Sequence, residues 1–112
     1  MSKSQRNKGH NWEREVAARF RRIFGDRVKR GWQTRQGNDA PDVDGTPFWV
    51  ECKVGACPNI YAAMDQADAA LSKAGDVRAP LAVIKRDRRF PLAVMYLGDF
   101  LDLVQEWKER GE

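Results

Sequence analysis

The sequence predicts an α/β (α+β) domain in which a mixed central β-sheet is flanked by helices, in the order α-β-β-β-α-β-β-α. Three observations carry that expectation. From Asn11 to Phe24 the apolar residues recur at helical spacing. Asp42 to Val54 reads as a hairpin, with Asp44-Gly45 in a tight turn and Phe48-Trp49-Val50-Glu51-Cys52-Lys53-Val54 as its second strand. An alanine-rich helix then separates the hairpin from two more apolar strands, an alternation that belongs to a layered sheet. At 112 residues the chain is one domain, 1–112, with enough length for a single core.

The elements follow in order. Residues 1–10 are polar and basic and read as a mobile arm. Asn11 is a good N-cap for a first helix that Gly25 would stop. Val28 to Thr34 has strand composition, and Arg35 to Pro41 is rich in turn formers. After the hairpin, Gly55 to Pro58 breaks the chain and Asn59 caps a second helix to about Lys73. Leu81 to Lys85 and Leu92 to Tyr96 are short strands joined by the basic turn Arg86-Asp87-Arg88-Arg89. Asp99 would cap a last helix reaching about Arg110.

Charge is distributed unevenly. Residues 1–36 hold eleven Lys or Arg against three acids, while the remainder holds nine against thirteen. A basic third of this kind suits a polyanion such as DNA, and equally a solvated helix face. No apolar run approaches the roughly 20 residues of a membrane span. The N-terminus shows no apolar signal core, so a cytoplasmic protein is expected, nucleoid-associated or in the host cytoplasm if phage-encoded. Cys52 and Cys57 do not form a CxxC pair and have no partner pair for zinc; both read as free thiols.

Three carboxylates draw attention. On a helical wheel Trp12, Val16, Ala17, Phe20, Ile23 and Phe24 form one apolar arc, and Glu13 falls inside it, whereas Glu15 falls outside. A carboxylate on a core-facing stripe is costly unless it is paired or binds a cation. Glu13 could therefore hold one arginine, or share a cation with Asp42 and Glu51. Successive strand side chains alternate, so Glu51 and Lys53 share one face while Phe48, Val50 and Cys52 occupy the other. Asp42 could merely cap its turn, and Glu51 could merely pair with Lys53.

In Pro41-Asp42 and Glu51-Cys52-Lys53 the chain resembles the PD-(D/E)xK nuclease superfamily. It looks most like the archaeal-type Holliday junction resolvase branch, which phages and some bacteria also carry. The resemblance runs from about Lys8 to Tyr96. It includes the lead-in Lys8-Gly9-His10-Asn11-Trp12-Glu13 and a glutamine, Gln66, on the helix after the hairpin. Where related resolvases place a Ser-Gly element near the metal, this chain has Arg35-Gln36-Gly37-Asn38, without a serine; Thr34, Gln36 or Asn38 could substitute.

The resemblance implies a restriction-endonuclease-like core and a Mg2+-dependent endodeoxyribonuclease, with Mn2+ able to substitute. Asp42, Glu51 and the Cys52 carbonyl would hold the metal, and Glu13 would act on it through a water. Lys53 would stabilise charge growing on the phosphoryl oxygens or position the attacking water. Gln66 would fix Lys53 or a water. Arg6, Lys8, Arg35, Gln36, Asn38, Arg86, Arg88 and Arg89 would meet DNA, mainly through backbone phosphates. His10 would be a DNA contact or a surface residue. Paired cuts in a four-way junction imply a homodimer, with no membrane and no small-molecule cofactor. Another DNA endonuclease of the superfamily, or a non-catalytic basic DNA-binding module, would account for many of the same residues.

Overall fold

In a computed structural model that describes residues 2–31 and 40–111, the elements follow the expected order. They are α1 (Lys3–Phe24), β1 (Lys29–Arg30), β2 (Val43–Asp44), β3 (Phe48–Gly55), α2 (Ile60–Lys73), β4 (Ala79–Arg86), β5 (Leu92–Val94) and α3 (Leu97–Gly111). One five-stranded sheet runs β1-β2-β3-β4-β5. Its β3–β4 pair is parallel and the rest are antiparallel, so α2 is the crossover a parallel pair requires.

α1 begins eight residues before Asn11, and the stretch expected to be a mobile arm is helical. Ser2 accounts for this: its hydroxyl accepts from the Gln5 backbone N–H at 3.2 Å, while the Gln5 side chain accepts from the Ser2 N–H at 3.2 Å. Asn11, read as the cap, instead accepts a hydrogen bond from Arg14 within the helix. At the other end Gly25 has φ +85° and donates to Arg21, ending the helix where expected. Asn59 caps α2 by accepting from the Ala62 N–H at 2.9 Å. Asp99 sits inside the first turn of α3 rather than at its cap.

The core lies on both faces of β3. Trp12, Val16 and Ala17 of α1 pack with Val28, Val43, Val50, Cys52 and Leu81. On the opposite face Trp49 meets Ala67 and Leu71 of α2, and Met64 meets Ala82 and Ile84. β3 thus sends Val50 and Cys52 to α1 and Trp49 to α2. Ile23, placed on the apolar arc of α1, is 75% exposed. No helix among the described residues is long and apolar enough to cross a membrane.

Two close backbone approaches hold the hairpin against the end of α1. Gly45 has φ +87°, and a Cβ there would lie 2.3 Å from the Arg27 carbonyl oxygen. At Gly31 a Cβ would lie 1.6 Å from the Pro41 carbonyl oxygen, and the Gly31 N–H donates to the Asp42 carbonyl at 2.8 Å. Gly31→Ala must therefore push apart β1 and the segment carrying Asp42. We expect a loss of about 2–4 kcal/mol in urea unfolding, against a few tenths for Gly9→Ala, where the space is open.

Arg78 braces the same hairpin from β4's approach. Its guanidinium binds Asp76 and Asp44 at 2.8 Å each and lies over the Trp49 ring. Asp44 is thereby committed to structure, and the Arg78 contact pulls the Asp76 carboxyl below its ordinary value.

Candidate functional site

Asp42 precedes β2 and is locked by its backbone and its side chain together. Its N–H donates to the Val50 carbonyl and its Oδ2 accepts from the Cys52 N–H, both at 2.8 Å. One residue along β3, Glu51 is 4% exposed and Asp42 only 8%. The two carboxyls share a hydrogen bond. Burial raises both above the usual carboxylate range, and the facing charge adds to it; Glu51 is pushed up to about 8. Both carboxyls therefore hold their protons to higher pH than exposed ones would, and they titrate as a pair.

Lys53 reaches towards this pair, its Nζ 3.7 Å from Glu51 Oε2. That separation is long for a charge-assisted hydrogen bond, and the lysine's charge only partly offsets the rise at Glu51. The same-face Glu51–Lys53 contact expected from strand alternation is present. The Cys52 thiol points the other way into the core, where burial pushes it up, so it is not a nucleophile. Cys57 is exposed.

Glu13 stands on α1 close enough that its charge helps raise Asp42. Its Oε1 accepts from Arg30 Nε at 3.2 Å and Nη2 at 3.0 Å, the single-arginine arrangement that the wheel left open. Arg30, from β1, has no motif to mark it in the sequence. Among the described residues no group of three or more His, Cys, Asp or Glu side chains is placed to hold a metal ion. The donors on offer are Asp42, Glu51 and main-chain oxygen, with Glu13 held to one side by its arginine.

That donor set still fits a hard divalent cation. Two buried carboxyls facing each other, both raised by burial, form a site where a cation relieves both repulsion and lost hydration. Oxygen-only donors suit Mg2+ or Mn2+ rather than zinc.

A cleft of about 640 Å3 opens at Lys53, the side chain that reaches the pair. Arg6, His10 and Glu13, one helical stripe of α1, form one wall, and Cys52 and Lys53 of β3 another. Lys8 and Asp87 also line it and form an ion pair with each other. The helical start of α1 is what brings Arg6 and His10 to this mouth.

Other expected residues are less engaged. Gln66 is exposed on α2, with no hydrogen bond to Lys53 among the described residues. Arg86, Arg88 and Arg89 are exposed at the β4–β5 turn; Arg86 donates to the Ala56 carbonyl, and Arg88 takes φ +64° to make the turn. Thr34, Arg35, Gln36 and Asn38 lie outside the described residues. No protein-family model, curated protein or solved structure matches the chain.

Proposed function

We propose that this chain is a Mg2+-dependent endodeoxyribonuclease of the PD-(D/E)xK type, acting in the cytoplasm on four-way DNA junctions. The observation that carries the reading is the buried Asp42–Glu51 pair with Lys53 against it, Lys53 in turn lining a cleft walled by Arg6 and His10. Buried acids facing each other are a cost that a binding surface has no use for.

A divalent cation held by Asp42, Glu51 and the Cys52 carbonyl would supply the charge that acidifies a water and offsets charge on the phosphate. The chain's own residues do the rest. Cys52's N–H fixes the Asp42 carboxylate, so its orientation beside Glu51 is set. Lys53 places a cation at the edge of the pair, where a phosphoryl oxygen gains negative charge. Arg6 and Lys8 line the cleft as phosphate contacts, and Arg30 holds Glu13 in place at its rim.

Junction selectivity rests on the resemblance of the Lys8 to Glu13 lead-in and on the need for two opposed cuts. The test is a panel of mobile four-way junction, linear duplex and single strand, each with Mg2+ or EDTA. Symmetric nicks confined to the junction support the resolvase reading. Equal cutting of all three substrates replaces it with a general endonuclease.

A further inference from the structure

α3 is a 15-residue helix that buries none of its residues. A helix of that length is marginal in water without tertiary packing. Leu97, Phe100, Leu101, Val104 and Trp107 recur along one side of it, and Leu97 and Trp107 are 70% and 75% exposed. With the neighbouring Leu103, the exposed side chains present roughly 600 Å2 of apolar surface, at or above the largest patch of a typical monomer.

The same chain carries a second uncovered apolar feature. α1 covers β1 to β3 and α2 covers the other face, leaving a groove between α1 and the β4–β5 edge. It is lined by Trp12, Val16, Phe20, Ile23, Val83 and Ala93, with a volume of about 200 Å3. The chain's own α3 does not fill it, since that helix buries nothing.

We infer that α3 of one copy docks into the α1/β4–β5 groove of a second copy, reciprocally, to form a two-fold dimer. Charge favours this pairing over helix on helix. α3 holds four acids (Asp99, Asp102, Glu106, Glu109) against Lys108 and Arg110, whereas the charged side chain lining the groove is Arg19 of α1, with Arg22 one turn further along that helix. An acidic helix beside a basic one is attracted; two copies of α3 side by side repel. Each protomer would contribute both a helix face and a groove, of the order of the 800 Å2 per partner in a standard interface. This inference does not rest on the nuclease reading, and its test needs no DNA.

The experiment is solution mass by light scattering on reduced protein, so that exposed Cys57 forms no disulfide. Wild type should show twice the 12.8 kDa of the chain. F100E/W107E on the helix and I23E/A93E at the groove should each give monomers. Circular dichroism should keep the signal of α1, α2 and the sheet and lose at most that of α3, because all four positions are exposed. Mixing the two variants should restore a dimer, weakened at least 10-fold, through the one intact helix and the one intact groove. A monomeric wild type at about 100 μM would overturn the inference. So would a groove variant that stays dimeric, since the helices would then pair with each other.

Discussion

Asp42→Asn should lower the cleavage rate by at least about 100-fold while leaving DNA binding and stability close to wild type. The separation of the two effects follows from the site. The Asp42 side chain contributes two things: buried hydrogen bonding, from the Cys52 N–H and with Glu51, and a negative charge. An asparagine can keep the first through its amide oxygen and removes the second. Burying that charge already raises the Asp42 carboxyl, so losing it does not destabilise the fold, and the expected change is within about 1 kcal/mol. Asp42→Ala differs: it leaves the Cys52 N–H without its acceptor in a buried place, a loss of about 1–3 kcal/mol. Single-turnover cleavage, gel-shift binding and urea midpoints on the two variants check this. An Asp42→Asn protein that cuts at the wild-type rate would refute the role given to Asp42.

The second large effect is a fall in stability as pH rises. Glu51 has an ordinary value of 4.5 and is pushed up to about 8 in the fold by burial and by Asp42. A group raised on folding binds its proton more tightly in the native state. Its contribution is therefore complete below pH 4.5 and is lost as pH climbs through about 8. Asp42 is shifted in the same direction and adds to the trend. Urea unfolding at about pH 9 should show a stability lower than at pH 6 by on the order of 1–3 kcal/mol. Glu51→Gln should flatten most of that slope, because a neutral amide keeps the shape and titrates nothing. Millimolar Mg2+ should restore stability at pH 9 and do little at pH 5, where the proton occupies the pair. A wild-type slope that survives unchanged in Glu51→Gln would place the titration elsewhere.

Local signals carried most of the fold. Asn59 as a cap, Gly25 as a stop and the Asp44-Gly45 turn each mark an element end through chemistry within four residues, and all three hold. The first ten residues are polar yet helical, because Ser2 and Gln5, three apart, cap each other's backbone at the start of α1. Ile23 fell on an apolar arc because a wheel shows a helix's face and not what lies opposite it.

Partnerships across long separations left no trace in the sequence. Arg30 meets Glu13 from 17 residues away, Arg78 meets Asp44 from 34, and Lys8 meets Asp87 from 79. Of the candidate site, the Asp42, Glu51 and Lys53 positions were legible because strand alternation and a short hairpin fix them. The rise of both carboxyls was not, since it comes from burial that only the packed sheet creates. The unpartnered face of α3 was equally hidden, because its sequence pattern is the same as that of a helix packed on its own sheet.

The central claim is that the Asp42–Glu51 pair, charged with a divalent cation, cuts DNA. The most direct measurement is strand cleavage of a labelled four-way junction by the wild-type chain with Mg2+ or Mn2+, set beside the same reaction in EDTA. The account predicts paired nicks in opposed strands with metal and none in EDTA. Tight binding of the junction without a nick in either metal would contradict it.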